Sequence, residues 1–266
     1  MRQNYYCFPS KKNLMVLYTN QKFFKSIVFQ SLYIQISPNN TFLLRLRKTF
    51  LGHCLYVVFS NKRKISIQIP IKGIELVYIN HKKQVLFEFG NTGLPLNVYK
   101  GKKEESSWDK YDYLGLPLII EYSKKEFHKK WEYIQCALEQ RWKMLKRGKS
   151  FNMNQLHGDF THFNILISNE KHLIEIDQKI ISNSILFDHF YFYAYLSQCL
   201  SLCSTLSKTD RDEIQQKLDK LITDICVFDC FYAKMEALNS LSLKDAIGLK
   251  YPHESFNSFK NLFLES

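Results

Sequence analysis

The early part of the chain has no apolar run long enough to span a bilayer. Its opening residues, MRQNYYCFPSKKNLMVLY, also lack the small-residue cleavage site of a signal peptide. These two absences set the expectation of a cytoplasmic protein. Internal repeats and low-complexity linkers are missing too, which excludes repeat arrays and long disordered spacers. Zinc-finger spacing, an RNP-like motif and Arg-rich tracts are likewise absent, so nucleic-acid binding would rest on charge alone. The 7 cysteines are odd in number and scattered through 266 residues, which argues against a disulfide framework and for reduced thiols. Cys199/Cys203 and Cys226/Cys230 are spaced i, i+4 on expected helices, and buried helix faces explain them better than a zinc site, whose cysteines usually sit in tight loops.

What is present is enough apolar surface for a core: 45% hydrophobic and 15% aromatic residues in 31.7 kDa, sufficient for one two-lobed domain or two small ones. The net charge of +12 is unevenly divided. Residues 1–150 hold 27 Lys/Arg against 10 Asp/Glu, and residues 151–266 hold 10 against 15. Such asymmetry is consistent with one part facing an anion and the other holding a cation, and equally with solvated faces. A nucleic acid or an anionic membrane surface therefore stays open as a partner on charge.

The first half reads mainly as strands: SLYIQIS, TFLLRLR, LYVVFS, KISIQIPI, LPLNVYKG and LPLIIEY, with a hairpin turn at SNKR (60–63). One helix is expected within them, IELVYINHKKQVLFEF (74–89), closed by Gly90-Asn91. From residue 124 the period changes. Phe127, Trp131, Ile134, Leu138 and Leu145 form one helical stripe, which Gly148 is expected to end. Past residue 184 the chain reads as helices, with an N-cap at Ser207 or Thr209 ahead of one long segment, 211–238.

Between these parts lies LHGDFTHFNILISNEKHLIEIDQK (156–179). Ile165–Ile167 and Leu173–Ile176, joined by SNEKH, predict an antiparallel hairpin. Asn164 precedes the first strand and Asp177 follows the second, so the hairpin brings them to one end, within reach of Asp159 in the preceding loop. Two carboxylates and a carboxamide in one small volume suit Mg²⁺ with phosphate oxygens, leaving one acid to orient a hydroxyl or take its proton. The alternative is three unrelated loop residues: a turn cap, an Asx-turn and a loop start.

HGDFTHFNIL followed by IEID resembles the signature of the aminoglycoside phosphotransferase/choline kinase family, HGDxxxxN…hxhhD. The resemblance covers about residues 45–200 and is most specific at 156–177. It implies an α+β, two-lobed protein-kinase-like fold with a small antiparallel β-rich N-lobe and a mainly helical C-lobe. Residues 1–122 would bind nucleotide, and residues 123–266 would carry the catalytic loop and metal site. The implied activity is ATP- and Mg²⁺-dependent phosphorylation of a hydroxyl on a small molecule or sugar. HGDFT with DHFYFY downstream is similar to members found with bacterial surface-glycan genes. Residue by residue, Asp159 matches the catalytic base, His157 a brace of the catalytic loop, Asn164 and Asp177 the Mg²⁺ ligands, and Asp188 a later supporting Asp. Glu121 and Tyr122 would present backbone to the adenine.

The chain departs from the pattern in three places. Gln68 stands where a strand lysine would grip the phosphates, with Lys64, Lys72, Lys82 or Lys83 as substitutes. Only Gly52 stands in the phosphate-covering turn, and Lys179 replaces a second acid after Asp177. These departures keep a second reading open, a pseudokinase-like nucleotide-binding module, and a third, a basic nucleic-acid or membrane binder. Tyr191, Tyr193, Tyr195, Phe231 and Tyr232 are candidates to stack on an acceptor, with core packing as the alternative.

Overall fold

The computed structural model describes residues 3–7, 15–18, 61–65, 74–79, 83–89, 95–102, 107–147, 150–179, 182–203, 205–243 and 252–265. The chain is α+β and divides into two compact units, residues 1–114 and 115–266.

The first unit contains one antiparallel sheet of seven strands: β1 (Gln3–Cys7), β2 (Met15–Tyr18), β3 (Asn61–Ile65), β4 (Ile74–Ile79), β5 (Lys83–Phe89), β6 (Pro95–Lys102) and β7 (Asp109–Asp112). Their spatial order is β3-β1-β2-β4-β5-β6-β7. Two expectations are corrected here. The segment 74–89 is no helix but a pair of strands in register from Ile79↔Gln84 to Leu76↔Phe87, with a bulge between Ile74 and Leu76. Gln84, Val85, Leu86 and Phe87 are all buried. A strand covered on both faces reads as an unbroken apolar run, which periodicity alone does not separate from a helix. The β-branched and aromatic content of ELVYI and QVLFEF is what favours the sheet. Within SNKR, Asn61, Lys62 and Arg63 are strand rather than turn, pairing with β1, and Ser60 lies outside the described residues. Glu88 fixes the β5–β6 pairing further, accepting from Asn97 Nδ2 and Tyr99 Oη at 2.7 Å each. The expected strands at 31–37, 41–47 and 55–60 lie outside the described residues.

The second unit starts with β8 (Leu116–Pro117), which pairs with β11 (Ile165–Ile167); β11 in turn pairs with β12 (Leu173–Glu175). That pairing places the unit boundary before LPLIIEY rather than after it. Gly115 enters so close to the Ile167 carbonyl that a Cβ would collide with it, and its φ of +151° suits glycine alone.

Five α-helices are described: α1 (Lys124–Leu145), α2 (Phe187–Leu202), α3 (Lys208–Ile225), α4 (Phe231–Ser240) and α5 (Pro252–Leu264). None is long and apolar enough to cross a membrane among the described residues. Ser123 caps α1 by accepting from the Glu126 amide at 3.2 Å, and Ser207 caps α3 by accepting from the Asp210 amide at 3.0 Å. On α1 Phe127, Ile134, Leu138 and Leu145 are buried, as their stripe requires. The helix stops at Leu145, ahead of Gly148, because Lys146 turns extended into the short strand pair β9 (Lys146–Arg147) and β10 (Ser150–Phe151). Helix α2 is buried nearly all round, and its Phe190 meets Phe259 of α5 edge-on, with ring centroids 5.6 Å apart.

The expected helix over 211–238 is broken. Residues 226–230 leave α3 and re-enter at α4, where Cys230 is the N-cap, its sulfur 3.4 Å from the Ala233 amide. Asp229 in this break lies 3.1 Å from Lys146. Cys199, Cys203 and Cys226 are buried, whereas Cys230 is exposed.

Candidate active site

The loop 156–164 is held from below by α1 and α2. Leu156, Phe160 and His162 are fully buried. Gly158 takes φ +75°, a left-handed turn that brings two successive amides to one acceptor. That acceptor is Asp188 at the start of α2: His157 N donates to Oδ2 at 2.7 Å and Gly158 N to Oδ1 at 2.8 Å. Burial pushes the Asp188 pKa up, while the two amides and the Arg141 guanidinium pull it down.

Arg141 of α1 is 3% exposed and ties four segments together. Its Nη1 donates to the Gln155 carbonyl at 2.5 Å and lies 3.7 Å from Asp188 Oδ2. Its Nε donates to Glu175 Oε1 at 3.2 Å, Nη2 reaches Glu175 Oε2, and the guanidinium lies over the Phe160 ring at 5.2 Å. A two-pronged grip on a carboxylate is what a planar fork of donors provides. Sequence reasoning missed both Arg141 and Glu175, since the pair spans 34 positions and only packing brings it together.

The hairpin forms with Ile165↔Glu175, Leu166↔Ile174 and Ile167↔Leu173 in register. Its turn closes through Ser168 N donating to the His172 carbonyl at 2.9 Å, with Lys171 at φ 64°. At the other end Ile176 N donates to the Asn164 carbonyl at 2.9 Å, so Asn164 and Asp177 begin and end the paired stretch at the same edge. Asn164 Nδ2 donates to the Asp159 carbonyl at 2.8 Å, which ties the loop to the hairpin and fixes the carboxamide. Asp177 adopts φ 60°, which Asp tolerates better than a β-branched residue.

His157 is 1% exposed. Its Nδ1 accepts from the Asp159 amide at 3.3 Å, which leaves the ring hydrogen on Nε2. That Nε2 has no partner of ordinary geometry, although the Ile176 carbonyl is near enough to favour protonation. Burial lowers the His157 pKa to about 4 with help from the Arg141 charge; Asp159 and Asp177 both oppose the shift. Asp159 itself meets Lys179, whose Nζ donates to Oδ2 at 2.5 Å. The segment carrying that lysine is pinned to the loop, with Lys179 N donating to the His157 carbonyl at 2.5 Å and Gln178 Nε2 to the Leu156 carbonyl at 2.7 Å.

The other expected residues are placed differently. The Glu121 carbonyl accepts from Ser123 N at 3.1 Å, and the Tyr122 carbonyl accepts from the Thr205 hydroxyl at 3.0 Å. The Tyr122 ring is fully buried, with its hydroxyl 2.8 Å from His162 Nε2. Both carbonyls thus have partners within the unit. Lys64 lies on β3 opposite Asn4. Gln68, Lys72, Lys82 and Gly52 lie outside the described residues, and Lys83 opens β5 instead of lying on a helix. Tyr191 and Tyr193 are buried core residues of α2, while Phe231 and Tyr232 are 69% and 84% exposed on α4. A groove of about 290 Å³ between α1 and α3, lined by Trp131, Glu139, Lys217 and Asp224 among others, includes none of the loop residues.

Carboxylate and carboxamide oxygens are the donor types a hard cation takes. Asn164 has its NH₂ committed to the Asp159 carbonyl, so Oδ1 is the atom left for a ligand, and Asp177 adds a carboxylate. Among the described residues no three His, Cys, Asp or Glu side chains gather as a metal site; the set here is two carboxylates and a carboxamide. Compared with protein-family models, curated proteins and solved structures, the chain matches none.

Proposed function

We propose that this chain is a phosphotransferase with a protein-kinase-like fold, moving the γ-phosphoryl group of ATP to a hydroxyl of a small molecule or a sugar or glycan precursor. The observation that carries the reading is the hairpin register, which sets Asn164 beside the residue preceding Asp177 while the Asn164 side chain holds the Asp159 backbone. Asp159 is the base: the acceptor hydroxyl attacks the γ-phosphorus, its proton passes to the Asp159 carboxylate, and the bond to the β-phosphate oxygen breaks to release ADP. Asn164 and Asp177 are the residues that would hold Mg²⁺, which would supply neutralisation of charge on the donor's phosphates. His157, neutral and buried, keeps the loop in shape, while Asp188 and Arg141 fix it from behind. Labelled ATP offered with a panel of hydroxyl acceptors tests the reading. Transfer that requires Mg²⁺ and falls by about 10²–10⁴ in Asp159→Asn supports it.

A second reading is favoured by the ion pair of Lys179 with Asp159, 2.5 Å apart. A carboxylate oxygen occupied by an ammonium is not turned to an acceptor hydroxyl, which suits a nucleotide-binding module with little or no turnover. Nucleotide-dependent stabilisation without transfer to any acceptor would select it.

A further inference from the structure

Lys179 combines a fixed backbone with an exposed charge. Its amide is held by the His157 carbonyl at 2.5 Å, and Gln178 beside it is held through the Leu156 carbonyl at 2.7 Å. The Lys179 side chain, in contrast, is 63% exposed, and its ammonium meets an Asp159 carboxylate that is 21% exposed. An ion pair this open to solvent is weakened by screening, so little holds the ammonium where it is. The lysine stem is long and flexible, and rotation about it carries the ammonium several ångströms without moving the main chain.

We propose that Lys179 is a phosphate ligand of this site, a tethered cation that covers Asp159 in the free protein and turns to the donor's phosphate oxygens when a nucleoside triphosphate binds. This rests on the phosphotransferase reading above and adds a sequence of events to it. A triphosphate carries several charges where Asp159 carries one, so the ammonium gains by moving. Its departure uncovers the Asp159 oxygen, and donor binding thereby opens that carboxylate to an acceptor hydroxyl. Lys179 is a positioning residue with respect to Asp159 and a direct ligand with respect to the donor. No bond is made or broken in the exchange, only an ion pair for another.

The test is calorimetric binding of the β,γ-imido analogue of ATP with Mg²⁺ to the full chain. It compares wild type, Lys179→Met, Lys179→Arg, Asp159→Asn and the Asp159→Asn/Lys179→Met pair. Lys179→Met is expected to weaken binding about tenfold, whereas Lys179→Arg keeps most of it. Asp159→Asn is expected to tighten binding, because the ammonium loses its competing partner, and the double variant falls back to the affinity of Lys179→Met. Equal unliganded melting temperatures for wild type and Lys179→Met exclude a merely structural effect. Wild-type affinity in Lys179→Met, or tightening by Asp159→Asn that persists without the lysine, overturns the inference and leaves the phosphotransferase reading standing. No binding by the wild type overturns both.

Discussion

A buried histidine that cannot place a second N–H is held neutral, and three rings in the second unit are of this kind. His189 Nε2 lies 3.0 Å from the Leu138 carbonyl, which only accepts, so the proton is on Nε2 and Nδ1 is bare. His162 Nδ1 is likewise without a partner in the core. Burial lowers the pKa of His157 and His189 to about 4 and of His162 to about 3. The unfolded chain takes up these protons near pH 6.5 and the folded chain does not, so stability is complete above that pH and falls as the medium is acidified toward pH 4. Asp188 and Glu126, whose pKa values burial raises, act in the opposite sense. Urea denaturation at pH 7 and pH 5 should differ by at most about 1.4 kcal/mol per ring per pH unit, with a smaller difference in His189→Gln. A pH-independent midpoint would contradict the assignment of neutral rings. Arg141 is the second residue with a large expected effect. Arg141→Met strands Glu175 and part of Asp188, and should cost about 3–5 kcal/mol in the same assay. Arg141→Lys should recover little, since an ammonium cannot grip two acceptors in the fork geometry.

Among the elements, those with their own local signals were legible. The 3.6-residue stripe of α1, the Ser207 cap of α3 and the two short apolar runs of the hairpin each state their structure within a few residues. Ser123→Ala and Ser207→Ala should each lower stability by about 1 kcal/mol, measured by thermal or urea unfolding; a smaller change would mean that solvent replaces the cap. Segments 74–89 and 226–230 were not legible. In the first, both faces of β5 are covered, so the alternation that identifies a strand is erased. In the second, the apolar period continues across the break, and the Cys230 cap of α4 carries no strong signal in the sequence. A proline at Leu86, which is buried mid-strand, should prevent the first unit from folding by removing an amide from a central strand. An unchanged far-ultraviolet spectrum would contradict the strand pairing.

At the scale of the whole chain, the candidate site was only partly visible in the sequence. Asp159, Asn164 and Asp177 could be named because hairpin geometry follows from turn residues and apolar runs close in sequence. The contacts that hold them could not: Arg141 with Glu175, Asp188 with the His157 and Gly158 amides, and Lys179 with Asp159 all join distant positions through packing. Lys179 was visible as a departure from a pattern, but its partner was not. The uneven charge of the chain says little by itself about what it binds, since a basic balance serves a nucleotide as well as a surface. The most direct measurement is therefore transfer of labelled γ-phosphate from ATP to hydroxyl acceptors by the wild type, Asp159→Asn and Asp177→Asn, with and without Mg²⁺. The account predicts Mg²⁺-dependent product that both substitutions reduce by about 10² or more. Product formed equally well by Asp159→Asn, or none from any acceptor with no stabilisation by ATP and Mg²⁺, would contradict it.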